Sequence, residues 1–293
     1  GKPVLVHVTG DAAAAAEAMA QGAIPAGITT LAIESGIELN NHELRKREAP
    51  FLLPLTPAGV PAVERASYEG AYKGVTDLLT KYLWRELAFH LTRLAAKIGM
   101  TPNMVTAIGA ACCVAAFFLF WEGHYWSGMA VGFVFMVLDT VDGKLARCTV
   151  TSSKIGDIAD HGLDLVHPPF WWWAWLAGLD NYGTPMGMDE MQVVLAIIVA
   201  GYVVGRFVEG AFLGAWGMHI HVWQRIDSWF RLITARRNPN MVILFVAMLL
   251  GRPDLGIIGV AVWTVASLLF HLVRLAQAGI ASAAGRPIIS WLS

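Results

Sequence analysis

The sequence predicts a mainly α fold: an integral-membrane six-helix bundle preceded by a small N-terminal α/β domain on the cytoplasmic side. Three observations carry this expectation. Hydrophobic residues make up 56% of the 293 positions and charged residues only 15%, a balance far from that of soluble domains. From Met104 onward, apolar runs of helical length recur with short loops between them. Residues 1–77 follow another pattern, with short β-like runs beside an alanine-rich helix.

In the first segment, strand-like runs are expected at Pro3–Val8, Thr29–Glu34 and Phe51–Leu55, and a helix at Ala12–Gln21. Pro3–Val8 is too short for a signal peptide. Thr9-Gly10-Asp11 reads as a plain turn, not a glycine-rich phosphate loop, so residues 1–77 form a domain of unknown role. Residues 78–100 read as an amphipathic juxtamembrane helix. Leu79, Leu83, Leu87, Leu91 and Leu94 lie on one side, and Lys81, Arg85, Arg93 and Lys97 on another. Such a helix suits the headgroup region; packing on the soluble domain is the plainer alternative.

Six spans are expected over residues 101–279: Met104–Trp121, Ser127–Arg147, Gly156–Leu176, Met191–Ala215, Met241–Gly251 and Ile257–Gln277. The third ends in Phe170-Trp171-Trp172-Trp173-Ala174-Trp175, an aromatic run of the kind found at a membrane–water boundary. Between the fourth and fifth, Trp216–Asn238 reads as an interfacial stretch whose His219 and His221 sit at the lipid surface. Residues 280–293 form a tail. Basic residues gather at the Arg147/Lys154 loop, at Arg225–Arg237 and at the Arg274/Arg286 end. The positive-inside rule therefore turns that end of the bundle, with the N-terminal domain, toward the cytoplasm.

A net charge of −1 describes neither a nucleic-acid binder nor an acidic tail, and no nucleic-acid motif is present. Cys112, Cys113 and Cys148 fit neither a disulfide framework nor a zinc site.

The chemistry concentrates between Asp139 and Asp164. A carboxylate near the middle of a membrane helix costs about 2.5–3.5 kcal/mol on insertion scales, so a group of them needs a compensating partner. Asp139 and Asp142 are three apart on one helix; Gly156, Asp160 and Asp164 recur every four on the next. The two faces belong to consecutive antiparallel helices, so four carboxylates can converge, and the natural partner is a divalent cation. Asp160 and Asp164 differ by about 6 Å along the axis, room for two ions. Gly143 and Gly156 allow close approach of a ligand, Ala146 keeps the following turn small, and Arg147 offers a guanidinium for phosphate. Asp157 and His161 read as structural or supporting. A proton- or cation-coupled transporter using the same acids is the alternative from another class.

The pattern Asp-x2-Asp-Gly-x2-Ala-Arg-x8-Gly-x3-Asp-x3-Asp is complete in Asp139, Asp142, Gly143, Ala146, Arg147, Gly156, Asp160 and Asp164. It resembles the signature of the class I CDP-alcohol phosphotransferase (CDP-alcohol phosphatidyltransferase) family, over roughly Thr101–Gly279. The resemblance implies a homodimeric, multi-pass enzyme of a bacterial or archaeal cell membrane, its active site facing the cytoplasm. It would use two Mg2+ or Mn2+ ions to move a phosphate-linked alcohol from a CDP-alcohol to an acceptor hydroxyl, releasing CMP. It also implies that Asp139, Asp142, Asp160 and Asp164 bind metal, that Asp164 is the general base, and that Gly143, Ala146, Arg147 and Gly156 line the CDP pocket. CDP-diacylglycerol is the favoured donor, for phospholipid synthesis; a soluble CDP-alcohol is the alternative. Arg206, Arg236 and Arg237 are candidates for an anionic polar acceptor such as inositol phosphate or glycerol phosphate, or else an ordinary positive-inside cluster. Some inositol-phosphate members carry a fused cytidylyltransferase-type domain, but residues 1–77 are too short for one and lack its nucleotide loop.

Overall fold

The computed structural model describes residues 56–151 and 154–293, with isolated positions between Ala14 and Leu53. Side chains at 154, 155 and 157–161 are not among those described. The expected strand-like runs at Pro3–Val8, Thr29–Glu34 and Phe51–Leu55, and the helix at Ala12–Gln21, fall outside the described residues, isolated positions aside. The chain divides into two compact units: residues 1–74 with Leu292–Ser293, and Val75–Trp291.

In the first unit, β1 (Asn40–Asn41) pairs antiparallel with β2 (Lys46–Arg47). Helix α1 (Val60–Gly70) starts with a proline in its first turn, where a missing N–H costs nothing, and buries Tyr68 against Tyr72.

The second unit is helical. A π-helical turn at Leu79–Leu83 ends at Trp84, and α2 runs from Arg85 to Lys97. The expected helix over residues 78–100 is thus two pieces that meet at a fully buried tryptophan. Its inward face is Trp84, Ala88, Thr92 and Ala95, while Leu83, Leu87, Leu94 and Ile98 are exposed. Small residues let α2 lie close to its neighbour and leave the leucines outside.

Helix α3 (Pro102–Trp121) is capped by Thr101, whose side chain accepts from the Met104 N–H. It is followed by α4 (Tyr125–Thr149), α5 (Lys154–Ala177), the single turn α6 (Leu179–Tyr182) and α7 (Met188–Trp216). A 3-10 turn at Ile220–Val222, the short α8 (Arg225–Arg231), α9 (Arg237–Leu249) and α10 (Pro253–Ala283) complete the order. Helix α3 packs along both α4 and α5, α10 packs on α7 and α9, and α2 packs on α4. By length and composition, α3, α7 and α10 can each cross a membrane, and α9 is a shorter apolar helix.

At the α3–α4 and α5–α6 connections the chain comes into backbone contact with itself. A Cβ on Gly178 would lie 2.0 Å from the Phe120 carbonyl oxygen, and one on Gly123, which has φ 75°, would lie 2.8 Å from the Gly178 oxygen. Around this point the tryptophan run packs inward. Trp171, Trp172 and Trp175 are at most 2% exposed, and only Phe170 and Trp173 face outward. Tyr125 stacks on Trp175 at 4.1 Å and donates to its carbonyl at 2.6 Å, while the Trp175 indole donates to the Pro253 carbonyl at 3.2 Å. Helical geometry thus turns three of the run's four tryptophans into core, and the indoles of Trp171 and Trp175 find partners in the Cys113 and Pro253 carbonyls.

Candidate active site

Asp139 and Asp164 converge on a single guanidinium. Arg237, at the first turn of α9, donates from Nη2 to Asp139 Oδ2 and from Nη1 to Asp164 Oδ1, both at 2.8 Å. Its Nε donates to Asn238 Oδ1, and its guanidinium lies 4.8 Å from the Phe135 ring centre. A planar fork with fixed spacing can bridge two carboxylates only when they face one another, so α4 and α5 do bring these acids to one point.

Asp142, one turn beyond Asp139, is 4% exposed. Its Oδ2 accepts from Thr106 Oγ1 of α3 at 2.7 Å, and its Oδ1 accepts from the Gly143 N–H. Three helices thereby fix the acidic faces. Between the two acids, Thr140 Oγ1 accepts from the Trp84 indole at 3.1 Å, which ties the start of α2 to the acidic turn of α4. The Arg147 guanidinium folds over Gly143, where an added Cβ would meet it at 3.2 Å. Ala146 and Gly156 are half-buried. Asp160 stands on α5 one turn before Asp164, and its side chain lies outside those described, as do those of Asp157 and His161.

The arginines proposed for an anion separate. Arg206 Nη2 donates to Glu209 Oε1 at 3.2 Å and Arg236 Nη2 to Glu209 Oε2, whereas Arg237 is occupied by Asp139 and Asp164. Adjacent in sequence at the entrance to α9, Arg236 and Arg237 serve different carboxylates.

A proline explains how α7 is held against α5 near Arg206. Pro169 has no N–H for the carbonyl of Leu165 four residues earlier, and Tyr202 of α7 donates to that carbonyl at 2.9 Å. Arg206 then lies 5.4 Å from the Tyr202 ring centre.

Behind Glu209 sits His221, 2% exposed, its Nε2 3.3 Å from Glu209 Oε1. The lipid-surface position expected for His221 is corrected: the 3-10 turn carries it into the interior against His271. Burial holds its imidazole well below the usual range, and the same Nε2 also lies 3.4 Å from Arg236 Nη2.

Sequence reasoning missed Thr106, Thr140 and Trp84. A threonine in an apolar helix is the only trace Thr106 leaves in the sequence, because its partner is 36 residues away.

Carboxylate oxygens are hard donors suited to Mg2+ or Mn2+, and the way Asp139 and Asp164 embrace one cationic group shows that they can share a cation. These residues fit a divalent-metal site.

Residues 99–287 match the CDP-alcohol phosphatidyltransferase family. Among relatives, the phosphatidylinositol phosphate synthase of Mycobacteroides abscessus is 34% identical over 107 residues, 34% of this chain and 48% of that protein. The cholinephosphotransferase 1 of Gallus gallus is 32% identical over 134 residues, 42% of this chain and 39% of its own length. A CDP-alcohol phosphatidyltransferase class-I family protein of Schizosaccharomyces pombe is 30% identical over 106 residues, 32% and 28% of the two chains. The matched stretches thus span about half or less of these proteins.

Proposed function

We propose that this chain, which belongs to the CDP-alcohol phosphatidyltransferase family, moves a phosphatidyl-type group from CDP-diacylglycerol to the hydroxyl of an anionic polar acceptor, releasing CMP. The observation that carries the reading is the convergence of Asp139 and Asp164 on one cationic group; the Arg206–Arg236 pair gathered on Glu209 supplies positive charge for an anionic acceptor. Helices α3, α4, α5, α7, α9 and α10 are read as six spans of an integral-membrane bundle, forming a homodimer with the acidic end toward the cytoplasm. Residues 1–77 remain a separate soluble domain in this reading, residues 78–100 a juxtamembrane helix and residues 280–293 a tail.

Asp139, Asp142, Asp160 and Asp164 would hold the divalent ions. When bound, Mg2+ or Mn2+ supplies neutralisation of the donor's pyrophosphate and of the departing CMP. Asp164 is 46% exposed on its side chain, open enough for an acceptor to reach. It takes the acceptor's hydroxyl proton while the acceptor oxygen forms its bond to the phosphorus that carries the alcohol. The bond from that phosphorus to the CMP oxygen breaks, and the electron pair leaves with CMP. Gly143, Ala146, Arg147 and Gly156 line the CDP side; Arg206 and Arg236 orient the acceptor's anionic group. The named product of the phosphatidylinositol phosphate synthase relative supports an anionic acceptor. The cholinephosphotransferase relative favours a second reading, in which the donor is a soluble CDP-alcohol.

Purified protein in lipid vesicles, given Mg2+, CDP-diacylglycerol or CDP-choline, and inositol phosphate or glycerol phosphate, tests both. Metal-dependent CMP release with the lipid donor and an anionic acceptor is expected. Release only with CDP-choline selects the second reading, and ion flux with no CMP release from any pair overturns both.

A further inference from the structure

Glu209 sits in the apolar helix α7 with its side chain 14% exposed and accepts from three groups: Arg206, Arg236 and His221. A buried carboxylate is costly unless fully compensated, and here the compensation is larger than one charge requires. Exposure gives the cluster a front and a back. Arg206 and Arg236 are 28% and 25% exposed at the front, Glu209 lies behind them, and His221 and His271, 2% and 3% exposed, close the rear.

Glu209, His221 and His271 also bring one donor atom each within 4.8 Å of one another, which raises a metal site as a possibility. The carboxylate decides against it. Both of its oxygens already accept from guanidiniums, and a divalent cation would have to sit against two positive charges to displace them.

The donors point the other way. Arg206 Nε and Arg236 Nε are buried and find no hydrogen-bond partner among the described residues. Each guanidinium has one Nη2 engaged by Glu209 and keeps further N–H groups for an oxyanion.

We infer that Glu209 is a positioning residue for the acceptor: it clamps Arg206 and Arg236 by one nitrogen each, so that their remaining N–H groups are held ready for one anionic group. This rests on the reading of an anionic acceptor given above. His221 backs the clamp, its Nε2 lying 3.3 Å from the same oxygen that holds Arg206 and 3.4 Å from Arg236 Nη2. A long arginine loses rotamer freedom when it binds an anion; fixing two beforehand removes that cost from the binding step.

The test is steady-state kinetics of CMP release with CDP-diacylglycerol and inositol phosphate for wild type, Glu209→Gln, Glu209→Asp, Arg206→Gln and Arg236→Gln. Glu209→Gln is expected to raise the acceptor KM about tenfold, the scale of one charge-assisted hydrogen bond. Its kcat should stay within about twofold and its donor KM should not move, because the reacting groups are untouched. Glu209→Asp keeps the charge but withdraws it by one methylene; it moves the acceptor KM in the same direction by a smaller factor, and it serves if the glutamine variant does not fold. An acceptor KM that is unchanged or lower in the Glu209 variants, while either arginine variant raises it, overturns the clamp and leaves the anionic-acceptor reading standing. Arginine variants that turn over with an unaltered acceptor KM overturn that reading, and the clamp with it.

Discussion

Replacing Arg237 by glutamine tests whether one guanidinium holds the acidic faces of α4 and α5 together. Each of its 2.8 Å contacts is a charge-assisted hydrogen bond, about 1.5–3 kcal/mol where the pair is shielded from water. Asp139 is 17% exposed on its side chain and keeps most of that. Asp164 is 46% exposed, and solvent screening reduces its share to about 0–1 kcal/mol. The Phe135 face contributes about 0.5–1 kcal/mol more. The expected loss is about 2–5 kcal/mol, which for a unit of this size lowers the unfolding midpoint by roughly 10 °C. The assay is thermal unfolding in detergent with a chelator present, followed by titration with Mn2+. The ion should narrow the gap, since it can neutralise the same carboxylates. Arg237→Lys, a point charge unable to fork, should fall between wild type and the glutamine variant. A glutamine variant that melts with wild type under chelation, or a lysine variant indistinguishable from wild type, refutes the bridge.

Asp164→Asn should abolish CMP release and weaken Mn2+ binding while the melting temperature changes little; retained turnover would remove Asp164 from the role of base. Thr106→Val keeps the shape but strips Asp142 of a 2.7 Å donor, so turnover should fall about tenfold with a modest loss of stability, read by kcat and a melt. Burial alone would raise the pKa of Asp77, but Arg231 and hydrogen bonds from Thr80 and Asn238 outweigh it and hold it below 3.8. Because the folded value is the depressed one, this contribution is complete at neutral pH and fades as pH falls through it. Asp77→Asn should therefore melt earlier than wild type at pH 7, and the difference should close on the acid side of about pH 3.8. Trp84→Phe removes the indole donor to Thr140 and should cost about 1 kcal/mol, seen as a lower melting point.

The meeting of Asp139 with Asp164 was legible because it depends on two local periodicities and one turn: spacing by three or four puts acids on a face, and consecutive antiparallel helices put the faces together. Arg206 and Glu209, three apart on one helix, meet by the same kind of local spacing. The division of labour between Arg236 and Arg237 was not, because adjacent residues leave a helix start in different directions and only packing decides what each meets. Likewise, Pro169 announces a freed carbonyl at Leu165, but that Tyr202 claims it follows from the register of α5 against α7. Which apolar side chains turn inward was not legible either. Apolar character says that a side chain leaves water, and in a membrane both the protein core and the lipid satisfy it, so Leu87 went out and Trp172 went in.

The glycine contact between Gly123 and Gly178 has a mechanical meaning. Backbone touching backbone leaves no side chain to reorient and no slack to take up, and the buried rings of Tyr125, Trp171 and Trp175 fill the space around it. The start of α4 and the end of α5 are therefore held together through peptide groups, and the aspartates of the same two helices lie away from this contact, where side chains and not backbone set the spacing.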